Sequence, residues 1–232
     1  VNELHAAVVA CERCPRLRRY CAEVARVKVR RYRDETYWGR PVPGFGDPRA
    51  RMLIIGLAPA AHGGNRTGRV FTGDDSGNWL YGTLYKFGFS SRERSLSRDD
   101  GLRLHDCYIT AAAHCAPPAN KPTRAEIDRC GLYLEQELAL LTRLRLVVTL
   151  GRIAHDAWLR SSGWWDRLPP GKRPPFGHGL LTRLPDGKSV LAAYHPSRQN
   201  TQTGRLTRPM WETIFRRARR LLDTERPGGL DA

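Results

Sequence analysis

Cys11 and Cys14 form a C-x2-C pair, and Cys115 and Cys130 follow with fourteen residues between them. A C-x2-C places two sulfurs on one turn, so a single ion or cluster can take both, and two further thiolates would close the shell. Spacing alone leaves zinc and an iron–sulfur cluster equally suited to four thiolates. The plainer alternative is a buried free thiol at each position. It is stronger for Cys21 and Cys107, which lack a paired partner, and Cys107 begins an apolar run where a small hydrophobe belongs. His62, His105, His114, His155 and His178 form no metal pattern. No phosphate-cradling GxxxxGK[ST], nicotinamide fingerprint or catalytic triad stands out in the chain order.

These residues need a scaffold, and the hydropathy pattern supplies one. Four short apolar runs, Met52–Leu57, Cys107–Ala113, Leu146–Leu150 and Val190–Tyr194, read as buried parallel strands. Helical patterns lie between and after them, near 77–87, 123–142, 151–160 and 208–223, with Thr123 and Glu126 spaced as a capping box. Residues 2–31 read as helical with an interruption at 11–15, and the Pro- and Gly-rich stretch 34–51 as a loop. The expected fold is one three-layer α/β/α domain over residues 1–232, with a mainly parallel central sheet of about four strands and a frayed tail from about 225. In such a fold the loops leaving the carboxyl ends of the strands build the site. They begin at Gly56, at His114 and at His195.

The 39 basic and 23 acidic residues leave a formal charge of +16, and all but five of the basic residues are arginine. That surplus points to a polyanion, nucleic acid before an acidic membrane. No apolar run approaches the roughly 20 residues of a membrane span. A collagen, a coiled coil and a wholly disordered chain are also excluded by the composition. The Arg216-Arg-Ala-Arg-Arg220 cluster reads as a solvated helix face, and Trp164-Trp165 as packing.

The three strand-end loops carry a specific resemblance. Gly56-Leu-Ala-Pro-Ala60 with Phe71-Thr-Gly73 resembles the first motif of the uracil-DNA glycosylase superfamily, and His195-Pro-Ser197 resembles the second. The C-x2-C pair, Cys115-Ala-Pro-Pro-Ala-Asn120 and Cys130 are similar to the iron–sulfur framework of its families 4 and 5. The extended His62-Gly-Gly-Asn-Arg-Thr-Gly68 with Asp74-Asp75 resembles family 5. The match spans roughly residues 5 to 222. It implies a 4Fe–4S cluster on Cys11, Cys14, Cys115 and Cys130, and hydrolysis of the N-glycosidic bond of uracil in single- or double-stranded DNA. Hypoxanthine and other deaminated bases are implied as further substrates. One departure concerns mechanism: superfamily members usually carry a carboxylate or amide inside the first motif, where this chain has Leu57 and Ala58.

Under that resemblance each residue acquires an expected role. His195, mounted before Pro196, donates to the negative charge that develops on departing uracil, a neutral imidazole being sufficient. Phe71 stacks on the flipped base, and Asn120 pairs with its edge, with closure of a turn as the plainer reading of Asn120. Backbone groups of Gly56, Leu57, Ala58 and Gly73 complete the pocket. Asp75 orients the attacking water and faces the sugar cation, with Asp74 as the alternative. Arg66, Arg69, Arg198, Gln199 and Asn200 are expected to contact DNA. The expected protein is a monomer, cytoplasmic and associated with the nucleoid through DNA. Two other readings are weighed: a non-catalytic nucleic-acid-binding module around a four-thiolate metal, and a lyase using Lys121 as an amine nucleophile.

Overall fold

A computed structural model describes residues 1–224. In chain order the elements are α1 (Asn2–Val9), α2 (Pro15–Val27), β1 (Phe45–Gly46), β2 (Met52–Gly56), α3 (Gly64–Thr67), α4 (Asp75–Lys86), β3 (Cys107–Ala111) and α5 (Arg124–Leu140). There follow β4 (Leu146–Leu150), α6 (Arg152–Ser161), α7 (Trp164–Arg167), β5 (Leu181–Arg183), β6 (Ser189–Ala193), α8 (Arg198–Gln202) and α9 (Arg208–Thr224). The tail expected to fray from about residue 225 falls outside the described residues.

The four apolar runs become four parallel strands in the order β3-β2-β4-β6. They are buried along their whole length because both faces of the sheet are covered. Along β2, Met52 and Ile54 pack into the core beneath α4 and α9, while Leu53 and Ile55 pack into the core with α6. That two-sided burial is why the strands read as unbroken apolar runs rather than alternations. The sheet has six strands, two more than expected. β1 and β5 flank it antiparallel, and their two- and three-residue lengths carry no hydropathy pattern.

The N-terminal segment is tied on through both α1 and α2. The Thr123 hydroxyl accepts from the Glu126 amide at 3.2 Å, and Glu126 accepts from the Thr123 amide at 2.7 Å, closing the expected capping box at the start of α5. The same Glu126 carboxylate takes two bonds from Arg16 on α2, at 2.6 and 2.8 Å. His5 on α1 reaches the Tyr108 hydroxyl on β3 at 2.7 Å. On α9 the side chains of Trp211, Ile214, Phe215, Ala218 and Leu222 face the core, which leaves Arg216, Arg217 and Arg220 exposed as expected. No described helix is long and apolar enough to cross a membrane.

Candidate active site and cysteine cluster

The chain leaving β2 runs on past Gly56 and Leu57 and returns through α3 to reach α4. Phe71 closes this return with a positive φ of 53°, a conformation rare for a bulky side chain. Two glycines make it possible. A Cβ at Gly77 would lie 1.8 Å from the Phe71 carbonyl, and a Cβ at Gly56 would lie 2.6 Å from the Phe71 ring. Phe71 is therefore clamped between the end of β2 and the first turn of α4.

Opposite it stands His195, just past β6. The two rings lie 5.7 Å apart at 27°. Two bonds hold the His195 loop: the Ser76 hydroxyl donates to Pro196 at 3.0 Å, and the Asn200 amide donates to the His195 carbonyl at 2.9 Å. Gly151, just past β4, packs near this loop: a Cβ there would lie 3.7 Å from the His195 Cβ. Burial pushes the imidazole down to about 4, so His195 is neutral near pH 7 and can offer one ring N–H.

The two aspartates divide at the helix start. Asp74 is the N-cap of α4 and accepts from the Gly77 amide at 2.8 Å, which turns its carboxylate back into the loop. A Cβ at Gly63 would lie 2.5 Å from Asp74 Oδ2, so the loop closes over that oxygen. Burial raises the Asp74 carboxyl above its ordinary range, and the neighbouring Asp75 adds to the rise against the pull of the helix amides. Asp75 instead faces solvent in an ion pair with Arg198 at 2.5 Å, both side chains more than half exposed. Of the two candidates for orienting water, the first turn of the helix points Asp75 outward and turns the Asp74 carboxylate into the loop.

The remaining expected residues separate into two groups. Gly56 and Leu57 line the return loop, and their carbonyls accept from Ala112 and Ala113 at 2.9 Å, extending the β2–β3 pairing past the strands. Ala58 is half-buried beside them, and Gly73 takes φ +86° on the way into α4. Arg198 and Gln199 are exposed on α8. Asn200 is not free to reach DNA, because its amide holds the His195 loop.

Arg69 is corrected outright. It is 3 % exposed and bonds Ser95, Asp100 and the Arg98 carbonyl, at 2.9, 2.8 and 2.6 Å. Arg66 is likewise internal: it pairs with Glu35, donates to His62 at 2.8 Å and lies over the Tyr32 ring at 3.9 Å. Both arginines brace the loop, a role their basic side chains do not announce. Asn120 is exposed in a 3-10 turn with φ 56°, and the turn-closing reading accounts for that geometry.

Cys11, Cys14, Cys115 and Cys130 line a single enclosed cavity of about 20 Å³ between α2, α5 and the end of β3, roofed by Leu17 and Tyr133. Cys14 is the N-cap of α2, with Pro15 starting the helix. The Cys130 sulfur accepts from the His114 amide at 3.3 Å. Among the described residues no three His, Cys, Asp or Glu side chains converge on one point as a single ion requires. Cys107 is core, as expected. Cys21 is buried too, but against Cys115, where its thiol donates to the Ala116 carbonyl at 3.5 Å. It does not line the cavity.

Sequence reasoning passed over Ser76 and Asn65. The Asn65 amide donates to the Cys21 carbonyl at 3.2 Å and so links the first-motif loop to α2. The N-cap position of Asp74, just ahead of a helical pattern, was the readable signal for the inward carboxylate.

The family model described as the uracil DNA glycosylase superfamily matches residues 43–219. A type-5 uracil-DNA glycosylase of Thermus thermophilus is 53 % identical over 214 residues, covering 92 % of this chain and 94 % of that protein. A type-5 uracil-DNA glycosylase of Mycobacterium tuberculosis is 48 % identical over 226 residues, covering 97 % and 83 %. Another, from Pyrobaculum aerophilum, is 46 % identical over 211 residues, covering 91 % and 88 %.

Proposed function

The chain belongs to the uracil DNA glycosylase superfamily, and from that premise we propose how this site excises uracil from DNA during repair. The observation that carries the mechanism is the facing pair of Phe71 and His195, with Asp74 following Phe71 on the same loop at the start of α4. The flipped uracil stacks on Phe71, which its clamp holds at a fixed angle. As the N1–C1′ bond breaks, its electron pair goes to the base, and charge gathers on the uracil oxygens. Neutral His195 donates a hydrogen bond to that charge without giving up its proton. Water adds to C1′, and Asp74 takes the proton that the water loses. The uracil anion takes a proton from solvent on release, Asp74 returns its proton to water, and the products are free uracil and an abasic site.

Leu57 and Ala58 offer no side-chain donor or acceptor to the base, which supports acceptance of other deaminated bases such as hypoxanthine. Lys121 is exposed, with its carbonyl held by Arg16 at 3.3 Å, and no contact brings it to the pocket among the described residues. That supports water rather than an amine as nucleophile.

Cys11, Cys14, Cys115 and Cys130 would hold a 4Fe–4S cluster. Four thiols lining one cavity, two of them from a C-x2-C pair, support a four-thiolate group there, and the family resemblance supports the iron–sulfur cluster over zinc. Its contribution is structural, joining the N-terminal segment to the β3–α5 junction.

The test is incubation of a uracil-containing duplex with the protein, followed by alkali to cut abasic sites. Cleavage by the wild type that falls about 10²–10³-fold in His195→Ala is expected. Equal cleavage by both proteins would overturn the role of His195.

A further inference from the structure

We propose that the groove between the N-terminal segment and the back of the β2–α4 loop is a second DNA site, holding the phosphodiester backbone of a strand away from the catalytic pocket. The proposal rests on the glycosylase reading for its ligand class but on other residues for its site. The groove encloses about 650 Å³, within the range of small-ligand pockets and more than a lone phosphate needs.

Its floor is Trp38. The Trp38 and Gly39 amides donate to the Arg66 and Asn65 carbonyls at 2.9 and 3.0 Å, fastening the floor to α3. Gly68, at φ +75°, lies directly beneath the indole: a Cβ there would meet the ring at 3.1 Å and Arg98 at 3.3 Å. On this platform the Arg98 guanidinium sits 4.4 Å from the ring centroid, and that of Arg40 sits 5.9 Å away. A guanidinium stacked on an aromatic face keeps its planar N–H edge available for a phosphate oxygen.

The charge in the groove is unbalanced. Glu12 is the one acid among the lining residues, and it faces Arg18 at 3.3 Å. Arg40 is exposed and forms no ion pair among the described residues, while Arg98 meets only Asp99, at 3.5 Å. The guanidiniums of Arg98 and Arg40 along one groove suit the repeated phosphates of a nucleic acid strand. Gly68 and Arg69, on the loop that continues to Phe71, line the groove.

The experiment measures the affinity of undamaged duplex against salt for the wild type, for Arg40→Ala/Arg98→Ala, and for the control Arg49→Ala/Arg143→Ala. The control removes the same charge from exposed positions at the amino ends of β2 and β4. Two lost phosphate contacts should make the log–log slope shallower by about 1.8 in the groove variant, with the control keeping the wild-type slope. Circular dichroism and melting of all three proteins confirm that they are folded. A wild-type slope in the groove variant, or an equal loss in the control, overturns the proposal. A poly-glutamate peptide that binds in the groove variant's place while the DNA slope is unchanged would overturn it in favour of a protein partner. Uracil excision by the wild type is scored separately, so a failure of the family reading is told apart from a failure of the groove.

Discussion

Phe71 and His195 face each other across the mouth of the first-motif loop, their rings 5.7 Å apart and 27° from parallel. Neither side chain is placed by its neighbours in sequence. Phe71 is held in a left-handed backbone conformation by the absence of side chains at Gly56 and Gly77. His195 is held by Ser76 and Asn200. The pocket thus combines a fixed apolar surface with a neutral donor, which suits a base that leaves as an anion.

The helix start assigns the aspartates different work. Asp74→Asn keeps an amide able to cap α4 but removes the proton acceptor, so single-turnover excision should fall about 10²–10⁴-fold. Asp75→Asn removes only an exposed ion pair with Arg198 and should leave the rate within a few-fold. Because burial raises the Asp74 carboxyl, its active ionised form is lost as pH falls through that raised value. The wild type should therefore show an acidic limb above the ordinary aspartate range, and Asp74→Asn should lack it. His195, neutral down to about 4, adds no limb between pH 5 and 8.

Glu137 on α5 is buried against β3, where Tyr108 donates to it at 3.5 Å and His5 bonds the same hydroxyl. Desolvation raises its carboxyl from 4.5 to about 8. The folded state therefore holds a proton that the unfolded chain gives up, and stability falls as pH rises from 4.5 to about 8. Glu137→Gln keeps the shape and removes the titration. Its melting temperature should lose less than that of the wild type between pH 5 and pH 8. Identical pH dependence in the two proteins would show that Glu137 is not the group responsible.

Purified under anaerobic conditions, the protein should be brown, with iron and acid-labile sulfide. Cys115→Ala should lose colour and fold together, whereas Cys107→Ala keeps the colour. Cys21→Ala should keep it too, despite its contact with Cys115, because its sulfur does not line the cavity. Bleaching of Cys21→Ala with retention of colour in Cys14→Ala would give a different ligand set.

The central strands were legible because a strand covered on both faces is apolar throughout, as in Met52–Gly56. β1 and β5 were not, since Phe45–Gly46 and Leu181–Arg183 are strands only through pairing with β3 and β6. The C-x2-C pair is a local signal, whereas the placing of Cys115 and Cys130 on the same cavity follows only from the fold. The arginines could not be sorted. Arg69 and Arg198 are the same residue on neighbouring loops, and the distant Asp100 and the helix-start Asp75 decide that one is buried and the other exposed. Between Asp74 and Asp75 the choice is a matter of one helical position, visible only once the N-cap is fixed.

Leaving-group chemistry tests the division of labour between His195 and Asp74 most directly. 5-Fluorouracil leaves more readily as an anion and needs less help from a donor on the base side. Single-turnover excision of uracil and 5-fluorouracil by the wild type, His195→Ala and Asp74→Asn, at saturating enzyme, gives the six rates required. The structure predicts that the fluorinated base restores most of the loss in His195→Ala and little of that in Asp74→Asn. Equal restoration in the two variants would contradict it, as would a wild type that releases neither base.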